Sequence, residues 1–167
     1  DAYDGTVSLY QWDEKDPVLA TWSKAFPGTV KAKKEISAQL LDHIRYPEDI
    51  FRVQREILSA YHVKTAGAFY GGQDFWRVPR DPSTFGGNAG AQPPYYLTLE
   101  MPGSKKPTFS LTTPFVPRGG RENLSAFAVV NADSGPDYGK ITVLQLPRST
   151  NVAGPSQVAS NFEAKPE

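Results

Sequence analysis

The sequence predicts an α+β fold: an antiparallel sheet with several helices packed on it, in a single domain over residues 1–167. Three observations lead there. Most of the helical periodicity lies in the first half and most of the two-residue alternation in the second, so the elements are grouped rather than alternating. One segment, Tyr46 to Tyr61, carries a wide apolar helical stripe. The 167 residues, 39% hydrophobic and 12% aromatic, suffice for a core without staples, and with no Cys neither a disulfide nor a thiolate metal site can form.

The elements follow in order. Gly5 to Trp12 alternates, with Val7 and Leu9 on one side and Thr6, Ser8 and Tyr10 on the other, which reads as a half-buried strand. The Tyr3-Asp4-Gly5 turn before it suggests a hairpin partner upstream of Asp1. Because the chain opens at Asp1 without Met, it reads as a piece of something longer. Asp16-Pro17 caps a helix whose apolar face is Val18, Leu19, Trp22 and Phe26, stopped by Pro27-Gly28. Lys31, Lys33 and Lys34 read as a solvated loop, and Ser37 caps a short helix carrying Leu40, Leu41 and Ile44.

The Tyr46–Tyr61 helix has Pro47 at its first position and Glu48 and Asp49 complementing the dipole. Ile50, Val53, Ile57 and Tyr61, joined by Phe51 and Leu58, form the face expected to be buried, while Arg52, Arg55 and Glu56 face water. Phe69 to Pro79 reads as an irregular aromatic stretch, and Arg80 to Pro94, with three Pro, three Gly and Asn88, as a mobile loop. Tyr95 to Met101 and Phe109 to Thr112 alternate as a hairpin, and a Pro-rich loop follows from Pro114 to Arg121. Leu124 to Asn131 and Lys140 to Leu146 form a second hairpin, and Gly154-Pro155-Ser156 starts a last short helix.

Little in the chain points to catalysis. Eighteen basic residues balance eighteen acidic ones, against a nucleic-acid partner. No apolar run approaches the ~20 residues of a membrane helix. His43 and His62 lack the i, i+4 spacing of two metal ligands, and each has a plain place at a helix end. Asn131, Asp133, Gly135 and Asp137 resemble a calcium loop, but Pro136 and Thr142 stand where an EF-hand needs Gly and Glu. Asp13-Glu14 and Glu48-Asp49 are explained by a turn and a helix start. No nucleophile elbow, phosphate loop or dinucleotide motif occurs, so no catalytic residue, metal or cofactor is implied.

The remaining candidate is a binding patch. Trp76, Arg77 and Arg80 precede the Gly-rich run, and Tyr95 and Tyr96 follow it. Aromatics beside Arg suit a sugar, a lipid headgroup or a partner loop. The plainer reading is that Phe69, Tyr70, Phe75 and Trp76 pin an irregular segment to the core.

Several strings carry a resemblance across nearly the whole chain: Ala2-Tyr3-Asp4-Gly5-Thr6-Val7, Arg45-Tyr46-Pro47-Glu48-Asp49, Gln54-Arg55-Glu56, Phe75-Trp76-Arg77-Val78-Pro79, Gln92-Pro93-Pro94-Tyr95-Tyr96, Pro114-Phe115-Val116-Pro117-Arg118, Tyr138-Gly139-Lys140 and Gly154-Pro155-Ser156-Gln157-Val158. They resemble a bacterial multi-pass membrane protein family numbered 0182. The resemblance implies N-terminal membrane helices followed by a large soluble region, of which this chain is a fragment lacking those helices. It implies a cell-membrane protein with this part on the extracytoplasmic side, where the absence of Cys also fits. It assigns no functional residue. Two functions are therefore expected: an interaction or substrate-handling domain at the cell envelope, with an envelope protein, sugar or lipid as partner, or an enzyme on envelope polymers or lipids whose site is completed elsewhere.

Overall fold

The computed structural model describes residues 1–84 and 89–165. The chain divides into two compact units, Asp1–Ile44 and Arg45–Glu167. The mixed α+β class with a mostly antiparallel sheet is present as expected.

The first unit runs β1 (Leu9–Tyr10), α1 (Pro17–Ala25), β2 (Val30–Lys31), a 3-10 turn (Lys33–Glu35) and α2 (Ala38–His43). Asp16 caps α1, its carboxylate accepting from the N–H groups of Val18 and Leu19 at 2.8 and 3.2 Å. Ser37 caps α2 through Leu40 N–H. The expected strand shrinks to two residues and pairs in parallel with β2, Leu9 opposite Val30. Its partner is thus supplied within the chain, downstream, by the crossover through α1 that a parallel pair requires. Lys31 lies in that strand, not in a loop. The apolar side of α1 contains no buried residue; Trp22 stacks on Phe26 at 5.4 Å.

The second unit contains α3 (Glu48–Tyr61), α4 (Ala66–Gly71), β3 (Trp76–Arg77), β4 (Tyr95–Leu99), β5 (Thr108–Pro117), β6 (Ala126–Asn131), β7 (Ile141–Gln145) and α5 (Pro155–Glu163). The sheet runs β3-β5-β6-β7, with β4 also pairing β5. Both expected hairpins are present, Tyr96 facing Leu111 and Ala128 facing Val143. The stretch read as irregular, Phe69 to Pro79, contains the end of α4, a helix capped by Thr65, and β3.

The longest strand is β5, which continues through the segment expected to be a Pro-rich loop. Its two prolines explain why it can. Residues 109, 111, 113 and 115 face β6 with their backbone groups, so residue 114 faces the opposite neighbour. There β3 stops, its last residue Arg77 opposite Val116, and β4 starts, its first residue Tyr95 opposite Thr112, so the N–H that Pro114 lacks would have met no partner. Pro117 faces β6 beyond the last register pair, Phe115 with Ala126.

The helix α3 lies against β3 and β5, but with a different face from the one its periodicity predicts. Ile50, Val53 and Ile57 are 50%, 61% and 53% exposed, whereas Phe51 and Arg55 are 1% and 5% exposed. The buried line is Phe51, Arg55 and Leu58, one residue on and therefore about 100° around the helix. Phe51 packs with Tyr46, Leu111, Val130 and Ala132, and Leu58 packs on the cluster of Trp76, Phe115, Ala126 and Ala128. The alanines of β6, Ala126 and Ala128, lie in the cluster on which Leu58 packs, and Phe51 fills the space beside Val130 and Ala132. Arg55, expected in water, is held inside because the interior offers it acceptors: its Nη1 donates to Gln92 O at 2.8 Å and lies 3.5 Å from Thr113 Oγ1.

Three tyrosines fasten the start of α3. Tyr96 and Tyr138 donate to the carbonyls of Tyr46 and Arg45 at 2.6 and 3.2 Å, and Tyr46 donates to Gln54 Oε1 at 2.9 Å. Gly139, at φ +79°, lies so close to the Tyr46 ring that a Cβ there would sit 3.1 Å from it.

Candidate functional site

A cleft of about 810 Å³ in the second unit opens at the C-terminal end of α3, within the range of ligand sites. Three separate stretches build it. The end of α3 and the turn after it bring His62, Lys64 and Thr65; the approach to β3 brings Gln73, Asp74 and Trp76; the far end of the sheet brings Arg121, Asn123, Gln145 and Arg148.

Its inner wall is fixed by a ring stack. His62 lies flat on Trp76, centroids 3.4 Å apart and planes 10° off parallel. Trp76 also packs on Phe115 at 5.3 Å and is 7% exposed. His62 Nδ1 lies 2.9 Å from Leu58 O, and Nε2 lies 3.0 Å from Asp74 O. A neutral imidazole donates to one of these carbonyls and a doubly protonated ring to both. In either form no ring nitrogen is turned to the cleft.

The charges around the cleft are uneven. Lys64, Arg121 and Arg148 line it against one carboxylate, Asp74, which is ion-paired with Arg148. The opening is therefore cationic, in a chain whose formal net charge is zero. Among the described residues no group of three His, Asp or Glu could hold a metal ion.

The structure scatters the residues of the sequence-derived patch. Trp76 is in the core and walls the cleft. Arg77, beside it on β3, pairs with Glu122. Arg80 is exposed and forms a single bridge with Ala91 at the base of the long loop. Tyr95 and Tyr96 lie on β4, and the register places Tyr95 opposite Thr112 but Trp76 opposite Pro117. Five residues of β5, a rise of about 17 Å, separate them. Tyr96 is committed to α3, stacked on Phe109 at 5.2 Å with its hydroxyl on Tyr46 O. The residues 85–88 in the middle of the loop, Asn88 among them, lie outside the described residues.

Titration reflects the same packing. Burial pushes the Tyr96 and Tyr138 hydroxyls above their ordinary value, helped by Glu48 and by Tyr46 respectively. Burial lowers the Arg55 guanidinium, with Glu56 acting the other way. The Ser83 hydroxyl and N–H hold Asp81 below the usual carboxylate range. In the Asp133 turn the acidic groups have protein partners: Asp133 accepts from Phe109 N–H at 2.9 Å, and Asp137 lies 3.3 Å from Lys140 Nζ.

His62, Asp74, Arg121, Gln145 and Arg148 were not legible as a group, since no short spacing joins them. The one local signal was Trp76 beside arginines.

The second unit is an α+β scaffold that carries a cleft lined by both charged and apolar side chains. The whole chain, residues 1–167, matches the family described as "Uncharacterised protein family (UPF0182)", and the chain belongs to that family. A UPF0182 protein of Thermobifida fusca is 60% identical over 100% of the chain, and one of Streptomyces coelicolor 57% over 99%. One of Leifsonia xyli subsp. xyli is 50% identical over 99%. The chain spans only 16–18% of the length of these relatives. No solved structure matches it. No helix among the described residues is long and apolar enough to cross a membrane.

Proposed function

We propose that this chain is a non-catalytic, extracytoplasmic binding domain of a multi-pass membrane protein, and that its cleft holds an anionic polymer of the cell envelope. The observation that carries this reading is the charge around the cleft: three cations against a single carboxylate that is already paired. Low-dielectric walls focus such a field and raise the local concentration of anions. The locked His62 supports binding over catalysis, because a general base needs a ring nitrogen within reach of substrate. The extracytoplasmic placement is supported by the family resemblance, and protease added to intact, wall-stripped cells tests it: cleavage is expected, and protection until lysis would contradict it.

Poly(glycerol phosphate) is the probe for the cleft. Calorimetric titration is expected to show binding that weakens with salt, as exposed charges are screened. The double variant Lys64→Glu with Arg121→Glu is expected to bind about ten-fold more weakly or worse, about 1.4 kcal/mol. Equal binding by that variant, or equal binding of neutral dextran, would overturn the reading.

A further inference from the structure

The sheet ends at β7 with its outer side open. Lys140 pairs with Asn131 and Leu146 with Ser125 through direct backbone hydrogen bonds of 3.1 and 2.9 Å. By alternation, residues 140, 142, 144 and 146 turn their backbone groups to β6, and Ile141, Val143 and Gln145 turn theirs outward. Among the described residues no hydrogen bond is made by those outward N–H groups.

The strand carries none of the devices that keep an edge unpaired. Ile141-Thr142-Val143-Leu144-Gln145 has no charge and no Pro, and its register with β6 runs without a bulge. Its apolar side chains are exposed on both faces: Ile141 and Val143 on the side that holds α3, Leu144 on the other. The neighbouring β6 is mostly buried. An uncovered apolar edge beside a buried strand is what remains of a sheet when its next strand is taken away.

We infer that the open edge of β7 receives a further β-strand from the part of the longer polypeptide that lies outside this chain. The occupant is assigned to the same polypeptide because the chain spans only 16–18% of its relatives' length, which leaves more than enough sequence in cis. Its chemistry is that of an extended segment with alternating apolar residues, meeting Ile141 and Val143 on one face and Leu144 on the other. Main-chain hydrogen bonds supply the affinity and the side chains the register, as in other strand additions.

Hydrogen–deuterium exchange tests this on the full-length polypeptide. The outward amides corresponding to Ile141, Val143 and Gln145 are expected to exchange about a hundred-fold or more slowly than in an open strand, since paired core strands approach global protection. Val143→Pro removes an outward N–H without touching the ladder to β6, and is expected to abolish the protection of Ile141 and Gln145 while that of β5 and β6 persists. Fast exchange of the three amides in the full-length protein would overturn the proposal. So would concentration-dependent protection in the 167-residue chain alone, which would assign the edge to a second copy.

Discussion

His62 and Trp76 lie face to face at 3.4 Å, the imidazole bridging from α3 to the turn before β3 through Leu58 O and Asp74 O. The stack joins the helix to the sheet at the edge of the cleft. Trp76→Ala removes the buried partner and is expected to cost about 3–5 kcal/mol, a fall in Tm on the order of 10 °C for a chain of this size. His62→Ala, which removes a half-buried ring, is expected to cost less, about 1–3 kcal/mol. Thermal melts followed by near-ultraviolet dichroism read both, and equal costs would contradict the burial order.

The orientation of α3 makes a sharper prediction. Phe51→Ala should lower stability by about 3–5 kcal/mol, whereas Ile57→Ser, at a 53% exposed position, should stay within about 0.5 kcal/mol in the 167-residue chain. Urea titration separates the two. A large loss from Ile57→Ser would restore the face that periodicity alone selects.

Gly154 precedes α5 where the chain passes the strand connection. A Cβ placed on it would lie 2.0 Å from Glu122 O and 3.2 Å from Val116 Cγ1. Since backbone cannot step aside as a side chain can, and Ala is a poorer N-cap residue than Gly, Gly154→Ala is expected to destabilise by about 1–3 kcal/mol. An unchanged urea midpoint would contradict the close approach.

Alkaline pH tests the tyrosines that hold α3. The hydroxyls of Tyr96 and Tyr138 titrate above the ordinary value of 10.0 because burial disfavours the phenolate. The folded chain therefore keeps protons that the unfolded chain releases above about pH 10, and folding weakens as pH rises through the folded-state values. Below that range the contribution is intact. Stability should fall as pH rises above about 10, and the Tyr96→Phe variant, lower by about 0.5–1.5 kcal/mol at neutral pH, should show a shallower fall. Parallel curves would contradict the assignment.

How far the sequence could be read depended on whether the signal was local. Asp16 and Ser37 cap their helices as read, and the β4–β5 and β6–β7 hairpins follow from alternation. The rotation of α3 was not legible, because Ile50, Val53 and Ile57 make as regular a stripe as Phe51, Arg55 and Leu58. Which stripe turns inward depends on the alanines of β6 and on an acceptor at Gln92 O, both distant in sequence. The extension of β5 was hidden by its prolines, whose tolerance depends on where β3 stops and β4 starts. The cleft was hidden more deeply, since Asp74 and Arg148 meet across most of the second unit.

Binding of an anionic polymer in the cleft is tested most directly by amide and indole NMR shifts during titration with poly(glycerol phosphate). Perturbations are expected at Lys64, Asp74, Arg121, Gln145, Arg148 and the Trp76 indole, lost in the Lys64→Glu with Arg121→Glu variant. No perturbation, or shifts confined to Arg80, Tyr95 and Tyr96, would contradict it.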